Sequence, residues 1–282
     1  VDTLNFTGGD LRFRNFTQIG PTPHGFELAS TASYIYNYDS NWGGDVDFKA
    51  PRIYTRSSTY NGATYMLKTG AANDLSPGNN LFMGNTEISS NTSTYNYLGM
   101  GQTNPDVCLA DLTLSNTGGG RIFYGWNSTG NQVGGDLFVN NLGNGVNSHI
   151  YVGYSGAAVT INVDGNVTAI NNGTATTNNT IVIGNNGTFD IGGDLIANNI
   201  GTGTLGNLYV GNVADVTVGG TSTFLNSATQ SGQLYIAQNT ASEVIFNGDV
   251  SVTNTGGLAT KRCYFADNGD ATYNGNLEII NS

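Results

Sequence analysis

A Gly-Asp or Gly-Asn pair recurs along this chain, at Gly135-Asp136, Gly165-Asn166, Gly193-Asp194, Gly248-Asp249 and Gly275-Asn276. Alternating apolar residues follow each pair, and then an Asn. The period runs from 25 to 40 residues and settles at 27 to 30 in the second half. A unit of this length cannot bury an apolar face alone. Its repetition therefore specifies a solenoid, in which each coil covers the next.

With the opening residue as zero, the unit begins at Gly9, Gly44, Gly84, Ala110, Gly135, Gly165, Gly193, Gly220, Gly248 and Gly275. Two and four residues later stand mostly apolar pairs such as Leu11/Phe13, Val46/Phe48, Leu112/Leu114, Leu137/Val139 and Val250/Val252. Residues two apart share one face of a strand, so these pairs read as core. A second strand follows, for example Ile150-Tyr151-Val152, Leu208-Tyr209-Val210 and Leu234-Tyr235-Ile236, with Phe26-Glu27-Leu28 as an earlier copy. A third lies eight to ten residues further on, as Val159-Thr160-Ile161, Val216-Thr217-Val218 and Val244-Ile245-Phe246; Leu4-Asn5-Phe6 fits the same slot. Three short strands per coil predict an all-β fold, a three-sided parallel β-helix. Crossovers between parallel strands are right-handed. About nine coils at ~4.8 Å each give a rod of roughly 43 Å.

Six residues into the unit stand Asn15, Asn116, Asn141, Asn171, Asn199, Asn226, Asn254 and Asn281, with Ala50 and Ser90 as exceptions. Stacked coils would bring these amides into a structural ladder, each donating to the next. A column running the whole length fits a structural role better than a ligand groove.

The chain reads as one β-helix segment, 1–282, with two textures. Residues 110–282 form regular coils. Residues 1–109 hold all 5 prolines and wider spacings, which predict irregular coils with long loops around 14–25, 49–64 and 68–80. Losing most of 52–62 should then cost little. The chain opens in the middle of a coil and closes one strand into another, which reads as a piece of a longer solenoid. The net charge of −11 argues against a nucleic-acid partner and against anionic membrane surfaces. No apolar run is long enough to span a bilayer, so we expect no membrane insertion by this segment. Cys108 and Cys263 fall five to six coils apart, beyond disulfide reach.

Catalysis finds little support. Asp45 shares its recurrent turn position with Asp10, Asp111, Asp136, Asp194 and Asp249, so a turn role explains it. No Arg/Lys cluster suits lyase chemistry, and His24 and His149 are far apart and read as loop or surface residues. Calcium-binding nonapeptides are absent, so we expect no metal and no cofactor. The third strand's outward residues, Gln132, Thr160, Asp190, Thr217, Ile245 and Thr272, are too mixed for an ice-binding array. The second strand's outward residues are more suggestive: Phe123, Tyr151, Val182, Tyr209, Tyr235 and Tyr264. With Trp42 and Tyr54 from the loops, these aromatics are the ligand-binding candidates; stacking between coils is the alternative reading.

Strings such as Gly192-Gly193-Asp194-Leu195, Asn207-Leu208-Tyr209-Val210-Gly211 and Thr272-Tyr273-Asn274-Gly275-Asn276-Leu277 resemble the β-strand-repeat regions of very large Bacteroidota surface proteins. Those are type 9 secretion substrates and include gliding-motility adhesins. The resemblance covers nearly the whole chain, though the family's C-terminal sorting domain is not in it. It implies an extracellular, cell-surface stalk or adhesive rod, without catalysis, whose partners are surface polysaccharide or secretion and attachment proteins. A carbohydrate-binding or polysaccharide-processing β-helix, and a trimeric phage fibre shaft, remain as alternatives.

Overall fold

The computed structural model describes residues 2–93, 95–155, 159–174, 177–203, 205–229, 231–255 and 261–282, and every regular element among them is a β-strand. The strands pair in parallel and stack into three faces. The first face is a twelve-stranded sheet running from Asp2–Phe6 to Leu277–Asn281. The third is a ten-stranded sheet from Asn41–Trp42 to Asp270–Tyr273. The second comes in two parts: three strands (Leu11–Arg14, Tyr34–Tyr38, Arg52–Arg56), then eight from Asp74–Leu75 to Arg262–Phe265. The chain is thus a parallel β-helix.

Ten third-face strands mark ten complete coils, one more than the sequence suggests. Twelve first-face strands leave eleven gaps, or ~53 Å of stacked sheet at ~4.8 Å each. Alternation puts Leu112, Leu114, Leu137, Val139, Val167 and Ala169 inside with no exposure, and similar rows from the other faces meet them.

The extra coil comes from the N-terminal third. First-face strands there start at residues 2, 24, 46, 64 and 86, so successive coils are 22, 22, 18 and 22 residues long. They are shorter than the later ones: the apparent spacing of 40 holds two coils, and that of 35, which starts in mid-coil at Gly9, holds one whole coil and most of another. The expected loops at 49–64 and 68–80 hold Arg52–Arg56, Thr59–Tyr60, Thr64–Lys68 and Asp74–Leu75. Ile53 and Tyr60 have no exposure, so removing 52–62 would take out core. Three assignments shift accordingly. Leu4-Asn5-Phe6 and Phe26-Glu27-Leu28 lie on the first face, while Leu11 and Phe13 lie on the second. Gly9, with φ 79°, sits between Asp2–Phe6 on the first face and Leu11–Arg14 on the second, so its Gly-Asp pair imitates a unit start. Asn15 is therefore not in the Asn column; it is exposed, with φ 53°.

The columns hold the corners. At the end of each first-face strand the Asn side chain points inward and is fully buried at Asn116, Asn141, Asn171, Asn199 and Asn226. Asn141 Nδ2 donates to Asn171 Oδ1 at 2.9 Å, and the chain continues through Asn199 (3.0 Å), Asn226 (3.1 Å), Asn254 (3.0 Å) and Asn281 (2.8 Å). The same nitrogens donate to the start of the second strand, as Asn199 does to Gly206 O at 2.8 Å. Asn116 joins through Ser148 Oγ, which bonds Asn141 Oδ1 in turn. Further N-terminal the column reads Ser90, Lys68 and Ala50.

Before each first-face strand a second ladder runs. Asp45, Asp111, Asp136, Asn166, Asp194 and Asp249 each accept, through Oδ1, the backbone N–H one coil on. A third opens the third face, where Ser58, Asn80, Asp106 and Asn131 each accept the N–H of the column member one coil back. Backbone donors that would be orphaned at the bends are thereby satisfied.

Candidate ligand-binding face

Outward residues of the second face form columns in register. One reads Leu75, Gly99, Phe123, Tyr151, Val182, Tyr209, Tyr235 and Tyr264. Its C-terminal rings stack at coil spacing: Tyr209–Tyr235 and Tyr235–Tyr264 both lie 4.7 Å apart and within 5° of parallel. Phe123 and Tyr151 stack at 5.2 Å. Val182 is the one small side chain between these two groups.

A second column flanks the first, because each strand ends in a left-handed residue that turns the chain outward. Gly125, Gly153, Gly184 and Gly211 have φ of 65°, 76°, 71° and 69°, a region that favours glycine. The residues that follow are Trp126, Tyr154, Asn185, Asn212 and, after Ala237, Gln238. Trp126 and Tyr154 fold back over Phe123, at 4.6 and 4.2 Å, and leave it with no exposure. Phe123 is thus a platform for other rings and cannot itself meet a ligand. Trp126, Tyr154, Tyr97 and Tyr95 supply the accessible surface here, and none was singled out in the sequence. The recurrent Gly was the available signal: the residue after it always lands beside the stripe.

His149 is also placed differently from expectation. It lies in strand Ser148–Val152, 6% exposed, packed edge-on against Tyr95 at 5.8 Å. Burial, and then the charge of Arg121, lower its pKa to about 4. Arg121 itself lies over the Tyr95 ring, 3.0 Å from its centroid. Tyr151 and Tyr209 are raised by burial, Tyr209 to about 12, so both stay neutral hydroxyls at physiological pH.

Trp42 and Tyr54 part company. Trp42 has no exposure; its Nε1 donates to Asn37 Oδ1 at 3.1 Å, and Phe13 and Phe48 pack edge-on against it. It is core because the segment around it is a strand and not a loop. Tyr54 lies on the three-strand part of the second face, packed with Tyr36 and Tyr38 at 5.9 and 5.2 Å. Arg12, Arg52 and Arg56 cover Tyr36, Tyr34 and Tyr38, and each pairs with a carboxylate: Asp10, Asp74 and Asp39. Cations and rings there satisfy each other.

Elsewhere, a groove of about 520 Å³ on the first face has Asp47 and Glu87 on either side of Tyr65. Asp47 is raised by burial. His24 lies at the start of a first-face strand, paired in register with Val46 of the groove lining. The third face's outward column is Gln132, Asn162, Asp190, Thr217, Ile245 and Thr272; Thr160 stands in the neighbouring position. Both cysteines are free thiols, Cys108 buried and Cys263 half-buried. No group of three or more metal-ligating side chains occurs among the described residues. Among the described residues no helix is long and apolar enough to cross a membrane. No family model, curated protein or solved structure matches the chain.

Proposed function

We propose that this chain is a rigid, non-catalytic rod segment of a secreted cell-surface adhesin. The observation that supports it most is the unbroken first face: twelve parallel strands in one register, clamped by side-chain ladders at the bends. Such a body transmits load and sets a distance, and it displays its outer faces as long, flat surfaces. The recurrent turn carboxylates support the non-catalytic part, since each already accepts a backbone N–H. The resemblance to Bacteroidota β-strand repeats supports the cell-surface setting. An antibody raised against the rod should label intact cells of the source organism. Labelling only after permeabilisation would overturn the reading.

One observation favours a second reading, a polysaccharide-processing β-helix. Asp47 and Glu87 stand two coil spacings apart, ~9.6 Å, at the wide end of the range for an inverting pair of carboxylates. Glu87, however, accepts a hydrogen bond from Ser89 Oγ at 2.6 Å. Reducing-end release from a polysaccharide panel, abolished by Asp47→Asn, would establish this second reading in place of the first.

A further inference from the structure

We infer that the open groove on the first face is a binding site for an amino-sugar chain, a cationic polymer of pyranose rings. The inference stands apart from the adhesin reading, since it needs only the groove. Along the groove runs a column of outward residues in register: Asp47, Tyr65, Glu87, Thr113 and Phe138. Four coil steps separate the first from the last, ~19 Å along the rod. All five side chains are half-buried, and Asp45 and Asn85 at the rim are exposed, so the groove is open to solvent. Its volume of about 520 Å³ lies within the range of small-molecule clefts. Ala63 helps to open it. It stands in the turn column between Asp45 and Asn85, where its methyl group leaves the rim one long side chain short.

The groove holds more acceptors than donors. Asp45 and Asp111 each use Oδ1 for a ladder bond, from Ala63 N at 2.8 Å and Asp136 N at 2.9 Å. Glu87 Oε1 accepts from Ser89 Oγ at 2.6 Å. A carboxylate has two oxygens and about four acceptor sites, so all three keep capacity. Asp47 Oδ1 is buried and has no hydrogen-bond partner among the described residues. Burial raises the Asp47 pKa, although Lys49 pulls it the other way. Lys49 itself is held by Glu27 at 2.7 Å. No Lys, Arg or His lines the groove. A buried acceptor without a donor is costly, and a ligand that supplies the donor removes that cost.

Charge and shape together select the occupant. Ammonium groups suit the carboxylates as charge-assisted donors. Tyr65 and Phe138 add aromatic surface, which takes the C–H face of a pyranose. A polyamine would satisfy the charge and leave both rings unused. A neutral glycan would have to desolvate carboxylates with no ionic return. A metal ion does not fit, since no three ligating side chains converge among the described residues. An amino-sugar chain lying along the rod places ammonium groups against Asp47 and Glu87 and sugar rings against Tyr65 and Phe138.

The net charge of −11 attracts any polycation, so the test needs a charge-matched control. Glu278 supplies it: it lies in the same outward column at the far end of the face. The full chain is titrated by calorimetry with a glucosamine hexamer. The N-acetylated hexamer serves as the neutral probe with the same rings, and spermine as the cationic probe without rings. The variants are Asp47→Asn, Glu87→Gln and Tyr65→Ala, with Glu278→Gln as control. The glucosamine hexamer should bind, at least tenfold more weakly in each groove variant and unchanged in Glu278→Gln. The N-acetylated hexamer should bind at least tenfold more weakly, and spermine should be indifferent to Tyr65→Ala. Asp47→Asn and Glu87→Gln preserve shape, so they carry the test even where Tyr65→Ala fails to fold. Equal losses in Glu87→Gln and Glu278→Gln would reduce the effect to net charge and overturn the site. Equal binding of the two hexamers, full affinity in a folded Tyr65→Ala, or no binding would overturn it as well. Shortened oligomers after incubation would replace it with the polysaccharide-processing reading. Loss of the site leaves the rod and its cell-surface setting untouched, because those are read from antibody labelling of cells.

Discussion

Asp106 is a carboxyl in a column of hydroxyls and amides. Its Oδ1 accepts from Asn80 N and Nδ2 at 3.0 and 2.8 Å, and its own N–H donates to Asn131 Oδ1. Oδ2 is buried without a partner among the described residues. Burial outweighs the donors and raises the pKa to about 6. A carboxyl raised on folding binds protons more tightly in the native state. Stability is then highest below the unfolded value near 4 and falls as pH rises through 6. Two pH units correspond to about 3 kcal/mol. His149 acts with the opposite sign: lowered from 6.5 to about 4, it costs stability as pH falls across that window. The two trends overlap in the wild type, so the difference against Asp106→Asn isolates one of them. Urea midpoints between pH 4 and 7 should show the wild type losing up to about 3 kcal/mol relative to the variant as pH rises. Parallel profiles would mean that Asp106 is ionised throughout. At this scale the sequence was legible where residues repeat: the Asn positions from 116 onward and the turn Asp positions follow from period alone. Asp106 was not, because its column mixes Ser, Asn and Asp and begins in the misregistered third.

Strands were legible where coils keep one length. From Leu112 onward each predicted strand exists on the predicted face. The N-terminal coils failed for a physical reason: a coil needs only enough residues to turn three corners, and there the corners are tight. Two of the short coils lack the Gly-Asp or Gly-Asn signature, and Pro23 and Ala63 stand where its Asp or Asn would be. The same region contains a seam invisible in sequence. Arg52–Arg56 and Asp74–Leu75 lie in different sheets, and side chains replace the missing ladder bonds. Ile53 N donates to Asp74 Oδ2 at 3.3 Å, and Thr55 N to Ser76 Oγ at 3.1 Å. Asp74 also takes Lys68 Nζ at 2.8 Å and Arg52 Nε at 2.7 Å, with Lys68 and Asp74 side chains wholly buried. Lys68 occupies the Asn column, and its pKa is lowered by burial, against the pull of Asp74. Removing Asp74 strands a buried ammonium and a backbone donor, whereas removing Lys68 leaves Asp74 with Arg52 and Ile53. Asp74→Ala should cost about 3–5 kcal/mol, and Lys68→Met at least about 2 kcal/mol less. Chemical denaturation of the two variants orders them; equal losses would show that Asp74 does not hold the seam.

For the whole molecule, the stacking implies that stability is a sum over coils and their nearest-neighbour interfaces. Asn199 probes that coupling because it sits in mid-ladder with no exposure. Its amide donates to Gly206 O at 2.8 Å and Asn226 Oδ1 at 3.1 Å, and it accepts from Asn171 at 3.0 Å. Asn199→Ala leaves three buried groups short of a partner, and each such group typically costs ~1–3 kcal/mol. Relaxation around the smaller side chain recovers part of that, so a net loss of about 2 kcal/mol is expected. Where the loss is felt decides the energetics of the rod. Amide exchange should speed up in Leu195–Asn199 and in its sheet neighbours, Val167–Asn171 and Ser222–Asn226. Leu112–Asn116, three strands away in the same sheet, should keep its protection. A uniform acceleration from end to end would mean that the coils melt as one cooperative body. In that case the ladder, running unbroken from Asn141 to Asn281, couples the coils over a longer range than nearest-neighbour packing alone.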